Sequence, residues 1–279
     1  MPGKTAAASA ERRFLIAMAR AFGGAIIFAL PLLMTMEMWW LGFYMDRLRL
    51  ALFLVVLLPL LGGLSYYAGF EESFGWRDFV LNAFVAYAVA FVASAVVLLL
   101  IAELGPGMSP DEIVGKITLQ AVPGSIGAML ARSQLGGQGE ESEEEAQRRE
   151  TYGGELFIAA AGALFMAFNV APTEEMILIA FMMNEWHAIA LVGASLLLMH
   201  AFVYAVEFHG QTARLHDGSP WGEFLRLTVV AYALALLISA YILWTFGRTE
   251  GLALGEFLTE VIVLGFPSAI GAAAARLIL

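Results

Sequence analysis

The chain reads as an all-α, polytopic helical membrane protein, about eight transmembrane helices arranged as two tandem four-helix repeats. Three observations predict this. Of the 279 residues, 60% are hydrophobic and 14% charged, whereas soluble domains keep apolar residues near half and charges near a quarter. The apolar residues fall into stretches matching the roughly 20 residues that a helix needs to cross a bilayer. An ordered set of Trp, Tyr, Glu, Pro and Arg positions in the first half recurs in the second.

The spans are expected near 21 to 45, 48 to 69, 78 to 102, 112 to 131, 155 to 183, 188 to 206, 223 to 246 and 256 to 277. The first carries Pro31 and Glu37 and stops at Asp46. Arginines precede it as they precede a secretory signal, but no small-residue cleavage site follows, so it reads as a retained helix. The fourth, with Pro123 and Gly124, is the weakest by composition. The fifth carries Pro172 and Glu175 and stops at Asn184.

Lys and Arg concentrate on the cytoplasmic side of membrane proteins. With both termini inside, that side collects eleven (Lys4, Arg12, Arg13, Arg20, Arg77, Arg132, Arg148, Arg149, Arg214, Arg226 and Arg276), leaving Arg47, Arg49, Lys116 and Arg248 outside. Trp76 and Trp221 then mark the inner boundary, and Trp39, Trp40, Trp186 and Trp244 the outer one. The expected location is a bacterial inner membrane.

Residues 76 to 103 match 221 to 248 at an offset of 145, through Trp76, Phe79, Ala86, Tyr87, Ser94 and Ala95 against Trp221, Phe224, Ala231, Tyr232, Ser239 and Ala240. The register then slips by one: Pro123, Gly127 and Arg132 meet Pro267, Gly271 and Arg276. Upstream, Thr35, Glu37, Met38 and Phe43 meet Thr173, Glu175, Met176 and Phe181 at an offset of 138. The organisation is therefore a first membrane repeat over 1–132, an acidic mobile cytoplasmic linker over 133–152, and a second repeat over 153–279. The linker holds six glutamates between 140 and 150 and accounts for much of the net charge of −10.

An ionised side chain at the centre of a membrane helix costs about 2.5–3.5 kcal/mol on insertion scales, so a buried acid is where function is sought first. Glu37 and Glu175 each lie nine residues before the polar end of their span, roughly 13 Å along the axis at 1.5 Å per residue, which predicts burial. Two such carboxylates brought together share a proton or hold a cation. Thr35, Thr173, Asn169 and Glu174 are the expected oxygen partners. Pro31 and Pro172 are expected to free the carbonyls of Ile27 and Phe168. Tyr87, Tyr232, Ser94 and Ser239 are candidates to line the same interior, with helix packing as the plainer reading. Lys116 stands opposite Glu260 in the repeat alignment, suggesting an ion pair between the halves.

The chain has no cysteine, so neither thiolate chemistry nor a disulfide is available. No Gly-x-x-x-x-Gly-Lys-Ser/Thr loop is present for nucleotide. No cofactor and no nucleic-acid partner are expected; the partners are the bilayer, a cation or proton, and in a homodimer a second set of glutamates.

The run Ala171-Pro172-Thr173-Glu174-Glu175, followed by Ser195 to His200, resembles the first two motifs of the membrane-embedded CAAX-protease and bacteriocin-processing family. That resemblance implies an eight-helix, metal-dependent protease using Glu174, Glu175 and His200. The sequence departs from the pattern: Ile179 stands where an arginine is expected, Leu196 where an aromatic is, and no histidine follows His216. Otherwise His200 reads as a packed helix histidine. Over nearly its full length the chain also resembles an uncharacterised bacterial family of integral membrane proteins with duplicated halves, which implies no activity. Its expected function is a cation or proton channel or carrier using Glu37 and Glu175. The alternatives are a membrane scaffold or assembly factor, for which both glutamates are dispensable, and the intramembrane protease.

Overall fold

The computed structural model describes residues 2–67, 76–134, 151–207 and 220–278, and these are helical with no strand among them. Residues 135–150, with the acidic run, and 208–219, with His209 and His216, lie outside the described residues. The chain divides into two compact units, Met1–Ser142 and Glu143–Leu279. The first contains α1 (Pro2–Leu33), α2 (Met36–Tyr44), α3 (Arg47–Tyr67), α4 (Trp76–Leu100) and α5 (Pro110–Gln134). The second contains α6 (Tyr152–Val170), α7 (Glu174–Met182), α8 (Glu185–Glu207), α9 (Pro220–Glu223), α10 (Val230–Thr245) and α11 (Leu254–Ile278), with a π-helical turn, Phe224–Val229, joining α9 to α10.

Among the described residues, eight helical stretches are long and apolar enough to cross a bilayer. Large apolar side chains cover the outside of the helices, among them Phe181 at 85% exposure and Leu100 at 79%. Such a surface is stable against lipid, and the helices satisfy their own backbone groups as lipid requires.

In the first unit α5 is the central helix, with 83% of its apolar stretch buried. Its composition explains this. Gly124 and Gly127 let α1 approach to backbone contact: a Cβ on Gly127 would meet the carbonyl of Gly24 and the side chain of Phe28. Helices packed this way run antiparallel, since Gly24 lies at Gly127, Leu32 at Gln120 and Gly42 at Lys116. A helix wrapped by protein rather than lipid can also carry the buried Lys116, Thr118, Gln120 and Ser125. Those residues make the fourth stretch the weakest apolar signal while suiting it to the centre of its unit.

The second unit has the corresponding contacts. A Cβ on Gly162 would meet the Gly271 carbonyl and Ala275, and one on Gly271 would meet the Gly162 carbonyl and Met166. Small residues (Ala159, Ala163, Ala231, Ala235, Ala269, Ala272) form the core between α6, α10 and α11, the composition that permits close approach of membrane helices. Ser239 and Ser268 face each other across α10 and α11 at 3.0 Å. At the opposite end of α11 from its connection to α10, Arg276 pairs with Glu155 at 2.9 Å.

The first and fifth predicted spans are not continuous helices. The first ends as α1 at Leu33 and resumes as the nine-residue α2. The fifth ends as α6 at Val170 and resumes as the nine-residue α7. Apolar composition continues through each interruption, which is why hydropathy alone reads one helix.

Candidate functional site

The first interruption lies within the membrane stretch of its unit. The Leu32 carbonyl accepts from Gln120 Nε2 at 3.1 Å, and Gln120 is eleven residues into the 22-residue apolar stretch Pro110–Ala131 of α5. Beyond the break, α2 runs on against Lys116. Broken membrane helices expose peptide groups that an unbroken helix would occupy, and side chains must satisfy them.

Here they do. Thr35 donates its hydroxyl to the Pro31 carbonyl at 2.5 Å, and Trp39 Nε1 donates to the Leu33 carbonyl at 2.8 Å. In the second unit Thr173 donates to the Val170 carbonyl at 2.9 Å, Asn169 Nδ2 to the Phe165 carbonyl at 2.7 Å, and Arg248 Nη2 to the Pro172 carbonyl at 2.5 Å. The carbonyls that these side chains serve at the two interruptions are thus those of Pro31, Leu32, Leu33, Phe165, Val170 and Pro172.

Both threonines are extended N-cap residues of the second, short helix, yet neither side chain caps it. Their protons point back to the preceding helix, so their oxygens retain free lone pairs, as does Asn169 Oδ1. The first turns of α2 and α7 carry Glu37 and Glu174 with Glu175, the sign of charge that a helix N-terminus favours. Glu37 is half-buried, while Glu174 and Glu175 are exposed on the surface of their unit. Each acid therefore stands at the start of a short helix, after a break, instead of in the middle of a continuous one.

The other predicted residues are packed within their own units. Tyr87 donates to the Thr118 carbonyl at 3.4 Å. Ser94, Ser239 and Tyr232 are buried, and Ser239 donates to the Ala235 carbonyl at 2.8 Å. His200 Nδ1 lies 3.1 Å from Thr228 Oγ1, and its ring packs edge-on against Phe224. That pairing falls at the π-helical turn, while Glu174 is engaged by Arg248. Among the described residues no three His, Cys, Asp or Glu gather as metal ligands.

Two clusters of charge were missed as sites. In the first unit Lys116, 5% exposed, holds Glu103 at 2.6 Å and Glu112 at 3.1 Å. Lys116 therefore pairs within its own unit, and no pair with Glu260 is needed to satisfy it. In the second unit Arg248 binds Glu174 Oε1 through both terminal nitrogens at 3.0 Å, with Glu260 buried beside this end of α11. The backbone builds both clusters in one way. After α4, Ala102 adopts φ 62° and Glu103 N returns to the Leu98 carbonyl. After α10, Gly247 adopts φ 74° and Arg248 N returns to the Leu243 carbonyl. This left-handed helix stop delivers Glu103 to Lys116 of the helix that follows, and Arg248 to Glu174 and the Pro172 carbonyl at the break between α6 and α7. The same repeat alignment that sets Lys116 against Glu260 sets Glu103 against Arg248, so a reversal of sign at both positions was the available signal.

The left-handed φ is natural for Gly247 and strained for Ala102. Ala102→Gly is expected to stabilise the protein by about 1 kcal/mol, read as a raised midpoint of thermal unfolding in detergent with the ion pair retained.

No curated protein and no solved structure matches the chain. One family does, over residues 17–279, under the description "Putative integral membrane protein (DUF2391)". A match of that extent, on a chain whose helices carry their apolar side chains outward, makes this protein a multi-pass integral membrane member of that family.

Proposed function

We propose that the protein moves a cation or a proton across its membrane, using the sites where a membrane helix is interrupted in each unit. The observation that carries this reading is the interruption itself, at Thr35 and at Thr173, each followed within two residues by a glutamate. Paired discontinuous helices in corresponding positions of two halves are the pattern by which membrane transporters hold ions, with unwound carbonyls and helix ends as ligands. Thr35 and Glu37 in one unit, and Asn169, Thr173, Glu174 and Glu175 in the other, supply oxygens for that purpose. Equivalent contacts at Gly24 with Gly127 and Gly162 with Gly271 support reading the units as a duplication.

The test is flux of potassium, sodium, calcium and protons into liposomes holding the purified protein, beside the Glu37→Gln/Glu175→Gln variant. The variant is expected to lose about tenfold or more of the flux, the equivalent of about 1.4 kcal/mol on the barrier, while keeping the wild-type circular dichroism and elution volume. Absence of flux for every ion over a range of pH and voltage overturns the reading and leaves a scaffold or assembly role.

A further inference from the structure

The charge clusters of the two units differ in one respect. Around Lys116 the ammonium meets two carboxylates, and no charged atom of that group is buried without a partner. Around Arg248 one donor and one acceptor are left over: Arg248 Nε is buried with no hydrogen bond, and so is Glu260 Oε2. Glu260 is only 4% exposed. An unmatched oxygen at that depth is costly on a carboxylate and much less so on a neutral acid. Arg248, meanwhile, spends its terminal nitrogens on Glu174 and the Pro172 carbonyl, at the interruption between α6 and α7.

The electrostatic neighbours of Glu260 are Arg248 and Glu256, the latter exposed and accepting from Ala253 N at 2.9 Å. From α7, packed on α11, Glu174 reaches the same Arg248. The turn before α11 adds Glu250. Arg248 is a permanent cation among the electrostatic neighbours of Glu260 and opposes a metal ion at Glu260 itself. A proton needs only one carboxylate oxygen.

We propose that Glu260 is a proton-exchanging carboxylate, with Arg248 shared between it and Glu174 according to whether the proton is present. With a proton on Glu260 the side chain is neutral, and Arg248 is held by Glu174 and Pro172, the arrangement observed. When the proton leaves to water, Glu260 regains its charge and draws the unmatched Nε–H of Arg248, loosening the guanidinium from Glu174 and the broken helix. The chemistry is a proton transfer alone. Its use in coupling rests on the transport reading, but the exchange can be measured without it.

The experiment is infrared difference spectroscopy of the full-length protein in lipid nanodiscs as bulk pH is stepped through neutrality, following the carbonyl stretch of protonated carboxylic acids. Wild type is expected to show a titrating band that Glu260→Gln loses, that Glu260→Asp keeps at a shifted frequency, and whose midpoint moves in Glu174→Gln. Loss of the band in Glu260→Gln from a protein that passes no ion supports the site and removes the transport reading. Identical spectra for wild type and Glu260→Gln overturn the site, even where the wild type conducts. The aspartate variant keeps the test valid should glutamine impair folding.

Discussion

Replacing Lys116 with methionine is expected to destabilise the protein by about 3 kcal/mol, as removal of one partner from a buried ion pair does. Lys116 is almost wholly enclosed, and its ammonium is paired with both Glu103 and Glu112. Methionine fills the volume of the side chain but leaves two half-buried carboxylates facing each other. The α2 backbone rests on Lys116 through Gly42, so the loss should reach the interrupted helix. Unfolding by graded SDS in mixed micelles would measure it. Adding Glu103→Gln should recover a large part of the loss, because it removes one of the uncompensated charges. Equal stability of Lys116→Met and wild type would show that the pair is solvated, contrary to the burial seen. A stricter version exchanges signs, Glu103→Arg with Lys116→Glu, reproducing the Arg248 and Glu260 arrangement; it should be more stable than either single substitution.

Gly127→Val and Gly271→Val are expected to be similarly damaging, about 3 kcal/mol each, at the upper end of what overpacking costs. In both units the obstacle is the backbone carbonyl of the facing glycine, Gly24 or Gly162, and backbone cannot rotate aside as a side chain can. Gly62→Ala provides the contrast: a Cβ there meets nothing within 4 Å, and alanine is a better helix former than glycine by about 1 kcal/mol. It should be neutral or stabilising. Thermal scans of the three variants in one detergent decide the matter, and comparable midpoints would refute the close crossing of α1 with α5 and α6 with α11.

Much of the fold was legible because lipid imposes few solutions. Bilayer thickness sets the length of an apolar stretch, so residues 48 to 69 and 78 to 102 could be placed from composition, and α3 and α4 occupy them within a few residues. The interruptions at Thr35 and Thr173 were not legible as breaks. Proline is tolerated inside membrane helices, as Pro31, Pro59, Pro123 and Pro267 are here, so Pro172 before a threonine carried no decisive signal.

The candidate residues divide along the same line. Glu37, Thr35, Asn169, Thr173, Glu174 and Glu175 stood out as candidates because an acid in an apolar run is conspicuous and its neighbours recur. Glu260, Arg248, Glu103 and Lys116 were underrated because each lies near a predicted helix end, where a charge is ordinarily solvated. Their enclosure depends on a left-handed helix stop at Ala102 or Gly247 and on the small-residue contacts of the central helices. Both are set by how chain segments distant in sequence pack together.

By itself the sequence determined that the chain is a multi-pass helical membrane protein and which apolar stretches are long enough to cross, since both follow from the bilayer's thickness and from the need to satisfy every backbone group within a helix. Only the tertiary structure decided where those helices break, which acids are exposed or enclosed, and which cation each carboxylate meets, because burial and pairing are properties of packed neighbours rather than of position along the chain.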